Sequence, residues 1–499
     1  MKLRDVLKGV DYTLIDGSLD VEISGVNIDS RVIESGNLFI ATEGTKSDGH
    51  DFIDKALEKG AVAVVICKKT EDIACKALDD NVAIVYVENS RAELSQIVNN
   101  FYDDPSKSFK LIGITGTNGK TSVATMIDYV LRKIGNKTGL MSTIKNYCCG
   151  EELNLARTTP TTPDCVELGQ TMALMRDKGV DDVIMEVSSM GLKTGRVTKC
   201  HFDVGVFMNI SPEHLDDHGD MEDYTISKMM LFDIVDKMVV NVDDDCSTRI
   251  LEAHPDLDAI RFSIENVEKS NLFAESLAYT NDGVGFDLVY KKADSEERHK
   301  IYAGIPGQFA VYNILAVAGI CIQLGIELEK IIPALNEKIE IPGRYDVIKS
   351  KDGVTAIVDY AHTPMALENL LETVKKNPTF ARLISVFGCG GDRDATKRAP
   401  MGKISGRIAD YSIITSDNPR TENPESILLE IERGMKESGG IYEVEGDRRK
   451  AIEKAVSIAT EGDVIVISGK GHENYQILKD KTIHFDDCEV VGGCFDEGN

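Results

Sequence analysis

The sequence predicts a three-domain α/β protein. Its 499 residues are too many for one ordinary core and suit about three domains. Short apolar runs of strand length alternate with longer amphipathic stretches through most of the chain, the pattern of parallel sheets with helical crossovers. The third observation is local. An apolar run at 111–114 breaks into Gly116-Thr117-Asn118-Gly119-Lys120-Thr121-Ser122, and an apolar-periodic stretch then reaches residue 134. Strand, glycine-rich turn, Lys-Thr and helix together make a phosphate cradle. Glycines let backbone N–H groups approach a phosphate, and the helix start adds positive potential. Lys120 would reach terminal phosphates, and the Thr121 hydroxyl would face Mg2+. Position 114 is Ile where the common P-loop pattern has Gly, so this is a shortened P-loop-type cradle.

Composition narrows the class. Hydrophobic residues make up 42% of the chain, and the net charge is −27. Such a charge repels nucleic-acid backbones and leaves room only for a local basic site. The eleven cysteines include no C-x-x-C pair, and Cys148-Cys149 are adjacent, a poor geometry for a disulfide or zinc site. Reduced intracellular thiols are expected. The first residues carry acidic groups and no long apolar stretch, so no signal peptide is evident. No apolar run approaches the roughly 18 residues of a membrane span. The expectation is a cytoplasmic protein with no nucleic-acid partner and no membrane insertion.

Residues 1–105 mix strand-like runs at 38–40, 61–67 and 82–87 with a helical stretch at 52–59, a small α/β domain. Asp29-Ser30-Arg31 lies in a turn-rich segment, and Gly44-Thr45-Lys46-Ser47-Asp48-Gly49 follows; by themselves both read as solvated loops. Asp103-Asp104-Pro105-Ser106 is the expected linker.

Residues 106–340 form the second domain. Beyond the phosphate loop, a Thr- and Pro-rich segment, 158–164, ends as the start of a helix reaching 178. The strand at 183–187 is interrupted by Glu186, and a carboxylate there is costly unless it is paired or metal-bound. Another strand, 204–208, opens into Asn209-Ile210-Ser211-Pro212-Glu213-His214-Leu215-Asp216-Asp217-His218-Gly219. Lys228 sits in a helical stretch at 224–236, and a strand follows at 238–242. Glu186 with Thr121 suits magnesium, which prefers oxygen; a Lys-paired Glu186 and a structural His214 are the competing readings. His50, His201, His254, His299 and His484 lack comparable context and read as structural. From 270 to 304 the pattern is strand-like, with a hairpin signal at Asn281-Asp282-Gly283. A buried helix carrying Asn313 follows at 309–324.

Residues 341–499 repeat βα units, with strands at 355–359, 383–387, 412–415 and 464–467. They predict a Rossmann-like doubly wound domain. Gly388-Cys389-Gly390-Gly391-Asp392-Arg393 lacks the third fingerprint glycine, so a nicotinamide site is not expected. Three strand ends carry polar loops: Asp359-Tyr360-Ala361-His362, Asp417-Asn418-Pro419-Arg420 and Ser468-Gly469-Lys470-Gly471-His472-Glu473. Open sheets bind ligands at such edges. Arg420 suits a carboxylate because its planar fork binds two oxygens, although the segment is also a good turn.

These motifs resemble, in one order along essentially the whole chain, the Mur ligase family of peptidoglycan synthesis: GTNGKTS, EVSS, NISPEHLDDHG, PGRYD, DYAHTP, GCGGDRD, SDNPR and SGKGHE. The resemblance implies an ATP- and Mg2+-dependent amide ligase, acting on a UDP-sugar peptide and an amino acid, expected as a monomer. It implies that Lys120 and its loop grip ATP, with Asn313, Arg344, Asp359 and His362 around the nucleoside. Thr121 and Glu186 would serve one magnesium; His214 and Lys228, the latter as a carbamate, would serve a second. Ile28, Ser30 and the Thr45-Lys46-Ser47 loop match the uridine end. Thr161, Thr162, Ser188, Thr194 and Arg196 match the MurNAc-peptide side. Arg393, Asp417, Asn418, Pro419, Arg420, Gly469 and Glu473 match the amino-acid site, and Asp-Asn-Pro-Arg is the form associated with meso-diaminopimelate.

The chain departs from the family pattern at Met190, where His is common, at Thr194 for Gln, at Asp346 for Glu and at Asp217 for Tyr. These touch the sugar-peptide side more than the ATP side. Two other readings remain: a lysine-adding or folylpolyglutamate-type ligase, and a nucleotide-switched binding protein. The Glu186, His214 and Lys228 set weighs against a switch, which needs no second metal.

Overall fold

A computed structural model of the chain describes residues 1–44, 47–68, 82–155 and 157–497. Two compact units emerge: Met1–Gly113 with Gly135–Gly205 and Met230–Asp236, and Ile114–Ile134 with Val206–Met229 and Lys237–Asn499.

The first unit opens on a five-stranded sheet of order β1-β5-β4-β3-β2. Its strands are β1 (Thr13–Asp16), β2 (Gly25–Asn27), β3 (Asn37–Ile40), β4 (Ala63–Ile66) and β5 (Ala83–Tyr86). Only β1 runs antiparallel to its neighbour. Alternate residues face opposite sides, so the runs read in the sequence feed two cores. Leu38, Ile40, Val65 and Val85 pack with Leu94, Ile97 and Val98 of the helix Ser90–Phe101. Phe39, Val64, Ile66 and Ile84 pack with Ile53 and Ala56 of the helix Ile53–Glu58. Asn89 starts the first of these helices, its side chain accepting from the N–H groups of Arg91 and Ala92.

Strand β6 (Lys110–Thr115) ends at the phosphate loop. Strands β7 (Thr138–Met141), β8 (Asn146–Cys148), β9 (Glu151–Glu152) and β10 (Asp182–Glu186) follow in the first unit, with β10 parallel to β7.

Strands β11 (Phe202–Phe207) and β12 (Val235–Asn241) come next in the chain. In the second unit β12 pairs in parallel with β13 (Asp258–Ser263), and β13 with β14 (Leu272–Tyr279). Strands β15 (Val284–Lys291) and β16 (Glu296–Ala303) complete antiparallel pairs, with the predicted hairpin turn between β14 and β15. The helix Gln308–Gln323 is apolar on nearly every side and buried, as its composition requires.

The same unit holds a six-stranded sheet of order β17-β18-β22-β19-β20-β21. Its strands are β17 (Asp346–Lys349), β18 (Thr355–Asp359), β19 (Leu383–Phe387), β20 (Tyr411–Ile414), β21 (Tyr442–Val444) and β22 (Val464–Ser468). All but β17 are parallel, so four polar strand-end loops share one edge. Ile357, Leu383, Phe387 and Val466 face the helices Pro364–Lys375, Arg398–Ile408 and Pro424–Ser438. Val358, Ile384, Val386 and Ile465 face Arg448–Ile458 and Asp487–Glu497. Helices on both faces make the doubly wound layout expected from the sequence.

One element differs from expectation. The helical stretch foreseen at 224–236 is the helix Met221–Met229, then a 3-10 turn Met230–Ile234, and Val235 already opens β12. The strand that carries the apolar run at 238–242 begins at Val235, through Asp236 and Lys237, and its pairing from Lys237 ends the helical pattern early. Among the described residues, no helix is long and apolar enough to cross a membrane, and every cysteine is a free thiol.

Candidate active site

The phosphate loop lies between β6 and the helix Lys120–Lys133. Gly119 takes φ +90°, and a Cβ there would stand 3.1 Å from Asn313 Oδ1, so the turn requires glycine. The loop after β11 props it open. Thr117 N–H donates to the Asn209 carbonyl at 2.9 Å, Asn118 N–H to Asn209 Oδ1 at 2.9 Å, and Thr117 Oγ1 lies 3.1 Å from Tyr224 Oη. Thr121 and Ser122 are buried at the helix start. Lys120 Nζ donates to the Gly116 and Thr117 carbonyls at 2.8 and 3.0 Å.

A second amine reaches the same place. Lys228 Nζ donates to the Gly116 carbonyl at 2.9 Å and lies 4.5 Å from the centre of the Tyr224 ring. The side chain is 2% exposed. Burial, and the nearby Lys120 ammonium, push this amine well below the usual lysine range. His214 follows in a left-handed turn, φ +58°, and burial lowers its imidazole too. Its neighbour Glu213, to which the motif gave no role, is buried and accepts from His362 Nε2 at 2.9 Å. His362 Nδ1 is 2.8 Å from the Tyr360 carbonyl, which can only accept, so that nitrogen carries a proton. Burial would raise the Glu213 carboxyl, but the bond from His362 and the His362 charge hold it well below the carboxylate range.

Two of the sequence-predicted nucleoside residues, Arg344 and Asp359, lie at the start of the six-stranded sheet, and Asn313 lies at the phosphate loop. Asp359, at the end of β18, accepts from the N–H groups of Tyr345 and Ala361 at 2.8 and 2.7 Å. Burial raises its carboxyl. The Arg344 guanidinium stacks on Tyr360, 4.4 Å from the ring centre. Asn313 is buried beside Gly119.

In the first unit, Glu186 ends β10 fully buried and accepts from Thr143 N–H at 2.7 Å and Thr143 Oγ1 at 2.9 Å. Thr143 Oγ1 in turn lies 3.2 Å from Thr161 Oγ1. Thr162 Oγ1 donates to the Glu186 carbonyl and accepts from Ser188 N–H at 2.8 Å; Ser188 caps the short helix Ser189–Lys193. Arg196 donates to the Thr162 carbonyl at 2.9 Å. Thr194 Oγ1 is turned back onto the Met190 carbonyl at 2.5 Å. Arg157, absent from the motif reading, ties the carbonyls of Ser142, Thr143, Ile144 and Pro160. Ser30 is buried, and Ile28 packs on the first core of this unit. Ser47 accepts from Gly44 N–H at 3.0 Å through its carbonyl; Thr45 and Lys46 lie outside the described residues.

The third group sits at the ends of β19, β20 and β22. Asp417 is buried; burial would raise its carboxyl, but Lys470 and Arg448 hold it below its usual range. Asn418 Nδ2 donates to Glu473 Oε2 at 2.8 Å, and Pro419 and Gly469 complete the two turns. Arg420 adopts φ +53° and donates to the Gly391 carbonyl at 2.8 Å. Arg393 donates to the Asp392 carbonyl at 3.3 Å. Neither guanidinium forms an ion pair with a carboxylate among the described residues, so both keep charge for an anionic ligand.

Comparison with known proteins identifies the family. Residues 22–102 match the model of the Mur ligase family, catalytic domain; 114–321 match the Mur ligase middle domain; 343–471 match the Mur ligase, glutamate ligase domain. A Clostridium acetobutylicum protein named UDP-N-acetylmuramoyl-L-alanyl-D-glutamate–2,6-diaminopimelate ligase 2 is 40% identical over 98% of this chain and 99% of its own. A Clostridium tetani ligase of the same name is 41% identical over all of both chains. A solved structure of a UDP-N-acetylmuramoyl-L-alanyl-D-glutamate–2,6-diaminopimelate ligase superposes with a TM-score of 0.68 at 30% identity, covering 100% of this chain and 99% of that one. With motif order, sheet edge and full-length similarity in agreement, the chain belongs to the Mur ligase family.

Proposed function

We propose that the chain uses ATP to join meso-2,6-diaminopimelate to the D-Glu γ-carboxyl of UDP-N-acetylmuramoyl-L-alanyl-D-glutamate, in the cytoplasm and as a monomer. One observation carries the amino-acid assignment. At one sheet edge, Arg393 and Arg420 have no carboxylate partner among the described residues, while Asp417 and Glu473 line the same edge. A substrate with two carboxylates and two amines complements that set. L-Lysine, with one carboxylate, would leave a guanidinium unused.

The chemistry follows from the groups. A carboxylate is a poor electrophile until one oxygen becomes part of a phosphate leaving group. The γ-phosphoryl of ATP therefore passes to the γ-carboxylate oxygen, giving an acyl phosphate and ADP. The free amine of the amino acid attacks the acyl carbon. The tetrahedral adduct expels phosphate, and the amine loses a proton as the amide forms. Lys120 and the loop N–H groups neutralise the phosphates brought together. Magnesium, when bound, supplies a further positive charge against these oxygens. In the second unit, Thr121 would offer it a hydroxyl oxygen and His214 a neutral imidazole; in the first unit, Glu186 is a buried oxygen donor. Lys228 would fit only after modification: the neutral amine is the form that adds to carbon dioxide, burial shifts this amine toward that form, and a carbamate there would be an anionic oxygen ligand. The matched family segments fall one within each of 1–105, 106–340 and 341–499, and these are the domain bounds we propose.

The test is ADP release with ATP, Mg2+ and the UDP-MurNAc dipeptide, adding meso-diaminopimelate, L-lysine or L-ornithine separately. Release with diaminopimelate alone, and a product heavier by that residue, is the expected result. Release with lysine would overturn the amino-acid assignment. Release with none would mean a different acceptor and direct attention to Met190 and Thr194.

A further inference from the structure

Lys470 is a buried charged group in this region that the site assignment leaves unused. Its side chain has no solvent exposure. Nζ lies 3.0 Å from Glu473 Oε2, 3.2 Å from Asn418 Oδ1 and 3.8 Å from Asp417 Oδ1. The Tyr475 ring centre is 5.5 Å away. One water-free ammonium therefore touches three of the polar side chains that form the amino-acid site.

The contacts fix orientation as well as charge. Asn418 Oδ1 accepts from Lys470 and from Ile477 N–H at 2.9 Å, so its Nδ2 must face Glu473, as it does at 2.8 Å. Glu473 Oε2 thus receives two donors, from Asn418 and Lys470. Glu473 Oε1 has no hydrogen-bond partner among the described residues, and the side chain keeps 14% exposure. Lys470 also offsets one of the two negative charges of Asp417 and Glu473, leaving close to one for a ligand.

We infer that Lys470 is a positioning residue that makes the site selective for a diamino acid: it binds one oxygen of Glu473 and leaves the other for the second, non-reacting ammonium of the incoming substrate. This rests on the reading of the amino-acid site given above. Arg393 and Arg420 then answer the substrate's carboxylates, and Glu473, held by Lys470, answers the amine that distinguishes a diamino from a monoamino dicarboxylic acid. Removing Lys470 takes away one of the two donors that hold Glu473 Oε2 and one of the two that hold Asn418 Oδ1, so both are less firmly oriented and the loss falls on discrimination.

The experiment compares meso-diaminopimelate with 2-aminopimelate, which keeps both carboxylates but lacks one amine. The wild type should prefer diaminopimelate in kcat/KM by about 100-fold, the scale of a hydrogen-bonded charge pair. In Lys470→Met the preference should fall below about tenfold, through a raised KM for diaminopimelate, with the KM for ATP within about threefold of wild type. Glu473→Gln should show the same collapse. Lys470→Gln keeps a donor and much of the volume; it serves if the Met variant does not fold, and should lie between the two. A preference unchanged in a folded Lys470 variant overturns the inference, as does an equal loss for both amino acids and ATP. A wild type that prefers neither amino acid over lysine would instead overturn the site assignment on which the inference stands.

Discussion

Two lysine amines meet at the Gly116 carbonyl, but their surroundings give them different chemistry. Lys120 sits at a helix start where phosphate would neutralise it; Lys228 is sealed in, and burial and the Lys120 charge push its amine well below the usual lysine range. Lys228→Ala should therefore cut turnover by at least about 100-fold, and short carboxylates such as formate or acetate should restore part of it by standing in for a carbamate. Full turnover in the variant would remove Lys228 from the reaction. Both lysines were legible in the sequence, because each belongs to an ordered motif. Glu213 and Lys470 were not assigned, although both lie inside quoted motifs. A motif marks which residues are near the chemistry; which of them lose all water depends on elements far apart in the chain, as when Ile477 and Asn418 close over Lys470.

Among elements, the turn after residue 341 does more than connect. Gly343 has φ +70°, and a Cβ there would fall 2.0 Å from His472 N, on the loop that carries Lys470 and Glu473. Its carbonyl also accepts from Tyr360 N–H at 2.9 Å. Gly343→Ala should lower unfolding free energy by about 1–3 kcal/mol from overpacking and the left-handed backbone, seen as a lower thermal midpoint. The KM values for ATP and the amino acid should rise together, because Arg344 and the Lys470 loop move with the turn. Unchanged values for both would mean the two loops are independent. The central strands of the six-stranded sheet were read to within about a residue, since burial on both faces makes them continuous apolar runs. Its outer strands β17 and β21 were missed. They are short and half-exposed, with burial too weakly patterned to separate from loop.

At the scale of the molecule, charge and burial set the response to pH. Asp243 accepts from Ser263, Ile264, Asn266 and Tyr312; burial would raise its carboxyl, but these bonds hold it low. A depressed carboxyl gives stability that is complete above its unfolded pKa and is lost as pH falls through the folded one. Asp244, Asp346 and Asp359 are raised by burial, so they cost stability at neutral pH and cease to do so as they protonate. With a net charge of −27 relaxing in the same direction, the urea midpoint should rise as pH falls from 7 toward the ordinary carboxyl range near about 4, then drop below it as the depressed group protonates. A midpoint that only falls with pH would mean the depressed carboxylates dominate throughout. The topology has another consequence. Strand β22, made last of the six, is inserted between β18 and β19. On the ribosome, therefore, the nascent sheet must wait with its centre open until residue 468 has emerged, and no partly made chain can complete the edge proposed for the amino acid, whose middle loop has not yet been translated.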